Sequence, residues 1–232
     1  MKTLIITGAS KGIGLETARL FLAHGYRVIN FSRTPAPLDT IENHYIDLSQ
    51  PGAEKSLREL LDKIIDPSQI TLVHNAARLT NDTADATPTS AFRDIMEINV
   101  MAPHILNQII IPRMTQGSSV IYIGSTLSEK AVANSYSYVV SKHAIVGMMK
   151  ATCQDLSGKQ IHTTCICPGF TDTEMLRTHV GENEEVIDAI SAMSTFGRLV
   201  RPDEIASTIR FAAENPVLNG AVIHANLGQI ES

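Results

Sequence analysis

Lys2–Gly25 reads KTLIITGASKGIGLETARLFLAHG. Lys2 to Thr7 is a short β-rich run that ends in Gly8-Ala9-Ser10-Lys11-Gly12-Ile13-Gly14. A helical pattern of Ile13, Ala18, Leu20, Phe21 and Leu22 follows and stops at Gly25, a residue type that terminates helices. Strand, glycine turn, helix is the architecture of a dinucleotide phosphate site. Glycines let the backbone approach a pyrophosphate, and the helix N-terminus offers N–H groups and a positive dipole end. The spacing is G-x-x-x-G-x-G rather than G-x-G-x-x-G, so the motif takes its weight from its place between a strand and a helix.

Working outward, the same alternation continues along the chain. Tyr26–Ser32 reads as a strand, Thr34–Pro37 as a loop, and His44–Leu48 as a short strand ending at Asp47, which is placed either to face an adenine or to cap a turn. Ala53–Ile65 is helical, and Ile70–His74 is a strand opening into Asn75-Ala76-Ala77. Thr89–Met114 is a long helical region holding Asn99, and Pro103 near its middle predicts a kink or break. Ser118–Ile123, Ile161–Cys167 and Gly220–Asn226 are strands, Tyr136–Leu156 a helix, and Pro202–Ala213 a helix with Pro at N1 and Asp203-Glu204 in its first turn. The whole pattern predicts an α/β protein, one domain over 1–232, with a doubly wound parallel sheet of about seven strands and helices on both faces. Residues 170–200 mix Met175, Leu176, His179, Met193 and Phe196 with polar residues at weak periodicity. They are expected to form an irregular substrate lid at the carboxyl edge of the sheet.

Composition narrows the class. A chain of 232 residues with 44% hydrophobic content can bury a substantial core. Its net charge of −5 argues against nucleic acid or an anionic membrane as partner. No apolar run approaches the ~18 residues needed to span a bilayer, and the N-terminal run reads as strand and turn rather than signal peptide. Cys165 and Cys167 alternate in an apolar strand, so their thiols share a face, with Cα atoms roughly 6.5–7 Å apart, too far for an easy disulfide. With Cys153 they are expected to be packed thiols in a reducing, cytoplasmic compartment, and no metal-ligand spacing is evident.

Ser125, Tyr138 and Lys142 carry the chemistry. Ser125 follows the apolar run Val120–Ile123, which puts its hydroxyl at the carboxyl end of a strand, where open α/β sheets bind ligands. Tyr138 and Lys142 stand four apart in a run of helical spacing, on one helix face. A phenol beside an ammonium is a device for moving a proton, because the cation favours the ionised phenol. Ser32 stands where an acid would bond a ribose 2′-hydroxyl, Arg33 follows it, and the glycine turn carries Lys11. Two cations and no carboxylate suit a 2′-phosphate, hence NADP.

Taken together these residues resemble the short-chain dehydrogenase/reductase family along nearly the full chain. The matching segments are Thr7–Gly14; Asn75-Ala76; Asn99; Ser125; Tyr138-Val139-Val140-Ser141-Lys142; Pro168-Gly169 with Thr173; and Gly197-Arg198 followed by Pro202–Ala206. Within that family the chain is most similar to 3-oxoacyl-acyl-carrier-protein reductases and related carbonyl reductases. The resemblance implies a Rossmann-type fold. It makes Tyr138 the general acid in carbonyl reduction and base in alcohol oxidation. Lys142 lowers its pKa and holds the nicotinamide ribose, Ser125 hydrogen-bonds the substrate oxygen, and Asn99 holds a water linking Lys142 to solvent. It also implies a cofactor-binding set of Gly8, Ser10, Lys11, Gly12, Ile13, Gly14, Ser32, Arg33, Asp47, Leu48, Asn75, Ala76, Tyr138, Lys142, Pro168, Gly169, Thr171 and Thr173, and a homotetramer or homodimer.

Two departures stand out: His74-Asn75-Ala76-Ala77 replaces Asn-Asn-Ala-Gly, and Asn226-Leu227-Gly228 replaces Asp-Gly-Gly. His74 is expected to alter a bond between strand and helix, and Ala77 to narrow the passage beside the cofactor. The reading is an NADP(H)-dependent oxidoreductase of a carbonyl or secondary alcohol, with a 3-oxoacyl thioester among the candidates. The rivals are an NAD(H)-dependent alcohol, steroid or polyol dehydrogenase and a non-catalytic NADP-binding sensor or scaffold.

Overall fold

Continuous apolar runs become strands covered on both faces. The computed structural model describes residues 2–50, 53–181 and 183–230. The outermost ends of the expected domain, and position 182 of the expected lid, lie outside them. Its strands are β1 (Thr3–Thr7), β2 (Arg27–Ser32), β3 (Glu42–Tyr45), β4 (Ile70–His74), β5 (Ser119–Ile123), β6 (His162–Pro168) and β7 (Ala221–Ala225). Every residue of β1, β4, β5 and β6 is buried. The helices are α1 (Gly12–Ala23), α2 (Ala53–Ile64), α3 (Thr89–Met96), α4 (Ala102–Ile110), α5 (Tyr136–Asp155), α6 (Glu174–Val180), α7 (Glu184–Ser191) and α8 (Pro202–Glu214).

The strands form one parallel sheet in the order β3-β2-β1-β4-β5-β6-β7. The two-residue period divides the core into two layers. Leu4, Ile6, Val73, Ile121 and Ile166 pack with Ala18 and Phe21 of α1 and Ile205 and Ile209 of α8. Ile5, Leu72, Val120, Tyr122, Cys165 and Cys167 face the other side, against Leu57 and Leu61 of α2, Leu106 and Ile109 of α4, and Ile145 and Met149 of α5. The expected doubly wound sheet is therefore present. Its strand order reverses between β1 and β4, the crevice where such sheets bind nucleotides.

Three local expectations change. β3 is shorter and earlier than His44–Leu48. Asp47 closes the following turn, accepting from the Ser49 N–H at 3.1 Å and the Ser49 hydroxyl at 2.7 Å. The break signalled by Pro103 is a π turn at Glu97–Met101, with Pro103 in the first turn of α4, where its missing N–H costs nothing. The 170–200 segment holds two short helices, α6 and α7, on a closed base: Val200 N–H donates to the Phe170 carbonyl at 2.8 Å and Asp172 N–H to the Val200 carbonyl at 2.9 Å. Its far side is pinned to the chain terminus, Thr195 N–H to the Gly228 carbonyl at 3.0 Å and Ile230 N–H to the Met193 carbonyl at 2.8 Å.

The altered bond at His74 is visible as a chain of buried hydrogen bonds from β4 to α4, β5 and α5. Thr152 donates to the Met148 carbonyl at 2.8 Å, so the Tyr122 hydroxyl donates to Thr152 at 3.1 Å. Asn107 Nδ2 donates to the Tyr122 hydroxyl at 2.7 Å, which leaves Asn107 Oδ1 to accept from His74 Nε2–H at 2.8 Å. His74 Nδ1 is then a lone-pair nitrogen, buried without a hydrogen-bond partner among the described residues. Burial holds the His74 pKa down to about 4, against the usual 6.5. The native state refuses a proton that the unfolded chain accepts, so stability is full above pH 6.5 and is lost as pH falls toward 4. The loss expected across that window is about 3 kcal/mol. Thermal unfolding at pH 7 and pH 5 checks it. In His74→Asn, which puts a non-titrating amide in place of the imidazole, this part of the acid sensitivity should vanish.

Candidate active site

The glycine turn leaves β1 at the crevice. Gly8 and Gly12 adopt φ of +73° and +56°, and a Cβ at Gly14 would lie 2.2 Å from the Gly8 carbonyl oxygen, so the turn closes tightly only without side chains there. Asn75, the residue after β4, fixes it, its Nδ2 donating to the Thr7 and Gly8 carbonyls at 3.0 Å each. Asn30 on β2 does the same from the other side, accepting the Ala9 N–H at 2.9 Å. The N-terminus of α1 has no side-chain cap and no acid in its first turn, so its N–H groups and dipole are free for an anion. A dinucleotide fits this cradle. The side chain of Ile13 packs on the α1/α8 core layer, which leaves its backbone toward the turn, and Leu48 packs on the opposite core layer. Ala76 is the residue that closes on Gly8, with its Cα 3.2 Å from a Cβ built there.

At the end of β2, Ser32 accepts from Asn30 Nδ2 at 2.8 Å and donates to the Thr34 carbonyl at 2.5 Å. Arg33 is exposed beside it, and its charge reaches Asp47, whose carboxyl is held below its usual value chiefly by Ser49. Lys11 does not stand free beside Arg33. Its ammonium is 2.5 Å from Glu174 Oε1 on α6.

Ser125 follows β5 in extended backbone and caps a 3₁₀ turn over Thr126–Ser128. Its hydroxyl accepts the Leu127 N–H at 3.1 Å, while Ser125 N–H donates to the Ser128 hydroxyl at 3.0 Å. Tyr138 is half-buried in the first turns of α5, close enough to Ser125 for that hydroxyl to favour its ionised form. Lys142 is buried one turn on, donating to the Ile123 carbonyl at 2.7 Å, with its ammonium 5.5 Å from the Tyr138 ring centre. The structure brings the three expected residues together.

It also corrects their electrostatics. Burial pushes the Tyr138 phenol up to about 12, against a smaller downward effect of Ser125, and pulls Lys142 down to about 8. The expectation that Lys142 lowers the phenol is not met in this arrangement: desolvation is the largest influence, and the ammonium, engaged with the Ile123 carbonyl, is not among the others. Tyr138 holds its proton at neutral pH, the state a general acid requires.

Asn99 sits in the π turn, buried. Its Nδ2 donates to the Arg78 carbonyl at 3.0 Å and the Ser141 hydroxyl at 2.9 Å, and its Oδ1 accepts the Arg78 N–H at 2.8 Å. Ser141 in turn donates to the Tyr138 carbonyl at 2.8 Å. Asn99 thus reaches α5 through Ser141, a residue inside the Tyr-x-x-x-Lys turn that carried no role in the sequence reading. A second unread residue is Asp82. Its carboxylate accepts the Ser137 N–H at 3.1 Å and the Ser137 hydroxyl, and so caps α5 from a loop 55 residues away. Nothing local in the sequence marks it.

Beneath Ser125 lie Cys165 and Cys167, both buried on one face as free thiols, their sulfurs in a 3.9 Å hydrogen-bond contact and not joined as a disulfide. A Cβ at Gly124 would come within 2.8 Å of Cys167 Sγ and 2.9 Å of Cys165 Sγ. Pro168 ends β6, Gly169 packs on Asn226, and Thr171 donates to the Gly169 carbonyl at 3.0 Å. Thr173 caps α6 and rests on Gly12. Leu227, where the resemblance expects glycine, takes a left-handed φ of +53°, strain that its packing against the α1/α8 core offsets.

Fold and site define a nucleotide-dependent oxidoreductase. The family model described as enoyl-(acyl carrier protein) reductase matches residues 8–229. The NADPH-dependent aldehyde reductase 2, chloroplastic, of Arabidopsis thaliana is 26% identical, the match covering 98% of this chain and 93% of that protein. The 3-oxoacyl-[acyl-carrier-protein] reductase FabG of Rickettsia felis is 27% identical over 99% and 97%. A short chain dehydrogenase family protein from Francisella tularensis superposes with a TM-score of 0.90 at 23% identity, covering 98% of both chains. This chain belongs to the short-chain dehydrogenase/reductase family and is similar to its 3-oxoacyl-acyl-carrier-protein reductases.

Proposed function

We propose that the protein is an NADP(H)-dependent oxidoreductase of a carbonyl or secondary alcohol, with a 3-oxoacyl thioester among the candidate substrates. The observation that carries the reading is Ser125 and Tyr138 set together beside a buried Lys142, whose ammonium lies 5.5 Å from the Tyr138 ring centre, at the carboxyl edge of the sheet that also carries the glycine turn. The nicotinamide supplies the hydride. Ser125 and Tyr138 aim two hydroxyls at one substrate oxygen, and Tyr138 delivers a proton as charge develops there. Lys142 holds the nicotinamide ribose. Asn99, through Ser141, fixes the turn of α5 that carries the phenol. Met175, Met193 and Phe196 expose apolar surface on the lid, which suits a substrate with an apolar part.

Exposed Arg33, with a serine in place of an acid at position 32, supports the 2′-phosphate. Arg33→Ala should raise the NADPH KM about tenfold, the scale of one charge-assisted contact, with little change for NADH. Initial rates with both cofactors across a panel of acyl thioesters, aldehydes and ketones test the reading. Equal loss with both cofactors would make Arg33 structural, and no turnover with any carbonyl would favour the sensor.

The proposal extends to a symmetric homotetramer, with a homodimer as the alternative. It is supported by Met101 and Tyr136, exposed around the π turn and α5, and by Phe211 and Val217, exposed near the open edge at β7. Light scattering that gave a monomer at micromolar concentration would exclude both. Three free thiols suit a cytoplasmic setting. Among the described residues, no helix is long and apolar enough to cross a membrane.

A further inference from the structure

Lys11 faces two anions with one ammonium. It occupies the N-cap of α1 in the glycine turn, and on the reading above its partner is the cofactor's 2′-phosphate. In the structure its partner is Glu174 Oε1 at 2.5 Å, although the two are 163 residues apart and both side chains are more than half exposed. The contact is not an isolated reach of two long side chains. Thr173, the residue before Glu174, lies against Gly12, the residue after Lys11: a Cβ at Gly12 would be 3.2 Å from Thr173 Cγ2. Thr173 also accepts the Leu176 N–H at 3.3 Å, so the first turn of α6 is fixed where it meets the turn. The lid is thereby fastened to the phosphate-binding loop through the very cation that discriminates the cofactors.

We infer that Glu174 is a specificity-determining residue that competes with the 2′-phosphate for Lys11 and couples cofactor choice to the lid. The inference rests on the assignment of Lys11 to that phosphate. A phosphate carries more charge than a carboxylate and forms stronger charge-assisted bonds, so it displaces Glu174. An exposed ion pair is weak, so the displacement costs little affinity. NADPH releases α6 from the loop. NADH has no phosphate and leaves Lys11 with Glu174. By linkage, whatever draws Glu174 away from Lys11 tightens NADPH.

The test uses 2′,5′-ADP and 5′-AMP as probes that differ only in the 2′-phosphate, titrated by calorimetry into wild type, Glu174→Gln, Lys11→Ala and the double variant. Glu174→Gln should bind 2′,5′-ADP about two- to fivefold more tightly, the scale of a surface ion pair, with 5′-AMP unchanged. Lys11→Ala should weaken 2′,5′-ADP alone, and in its background Glu174→Gln should have no further effect. Hydrogen exchange across residues 174–180 of the wild type should quicken with 2′,5′-ADP and not with 5′-AMP. If Lys11→Ala leaves 2′,5′-ADP affinity intact, the assignment of Lys11 to the phosphate is wrong. If Lys11→Ala weakens 2′,5′-ADP but Glu174→Gln does not tighten it, the phosphate site stands and the competition by Glu174 is overturned. Both variants change exposed side chains, so folding is not at stake.

Discussion

Tyr138→Phe is expected to lower kcat by ~10²–10⁴-fold, about 3–5 kcal/mol of barrier, while the protein folds and binds NADPH as before. The substitution removes one oxygen and keeps a ring that is only half-buried. The lost group is a phenol that burial keeps protonated to about pH 12, so the wild type carries its acid throughout the neutral range. Without it, Ser125 still offers a hydroxyl to the developing alkoxide, but the proton must come from water. Fluorescence titration with NADPH, thermal unfolding and turnover on a saturating carbonyl substrate separate the three properties. Turnover near the wild-type value would remove Tyr138 from the reaction and revive the sensor.

Lys142→Met should lose more activity and gain stability. Lys142 is 4% exposed and its ammonium has one hydrogen-bond acceptor among the described residues, the Ile123 carbonyl at 2.7 Å. Burying a charge so sparsely satisfied is costly, and this is why its pKa falls to about 8 from 10.5. Below pH 8 the fold carries that cost, about 3 kcal/mol. Between pH 8 and 10.5 the unfolded chain holds the extra proton, and wild-type stability rises with pH. Methionine fills the stem without the charge, so Tm should rise by several degrees at pH 7, and the alkaline gain of the wild type should disappear. NADPH affinity should fall about tenfold or more, the scale of a charge-assisted bond to the ribose, and kcat should fall with it. Calorimetry and unfolding at pH 7 and 10 check both halves. A variant that was less stable at pH 7 would show the ammonium to be a structural clamp.

The sheet was legible because most strands are short, largely apolar runs flanked by glycine, proline or a polar turn, and because β-α alternation leaves few topologies; β3, the polar Glu42–Tyr45, is the exception and was placed too late. Ser125, Tyr138 and Lys142 could be placed because two of them share a helix face and the third ends a strand. Their electrostatics could not. Whether the ammonium or the burial governs the phenol depends on which acceptor Lys142 finds, and that acceptor, Ile123, is a backbone carbonyl common to every residue type. Asp82 and Ser141 were invisible for a related reason. A carboxylate that caps a helix from 55 residues away leaves no local pattern, and a serine within a helix reads like any other until the fold buries it. Pro103 announced a break, but only the folded chain shows that the break is a π turn presenting Asn99 to Arg78 and Ser141. The pairing of Lys11 with Glu174 likewise needed the lid folded back over the turn.

The closed base of the 170–200 segment has a consequence for how such a protein changes over time. Phe170 and Asp172 are stitched to Val200, and Met193 and Thr195 to the chain terminus, so both feet of the insertion stand on the scaffold independently of what lies between them. Lengthening or rewriting the stretch in between costs little closure entropy and disturbs no strand register. The segment behaves as an interchangeable cassette. Its side chains can drift toward a new substrate while the sheet and α5 beneath it stay as they are.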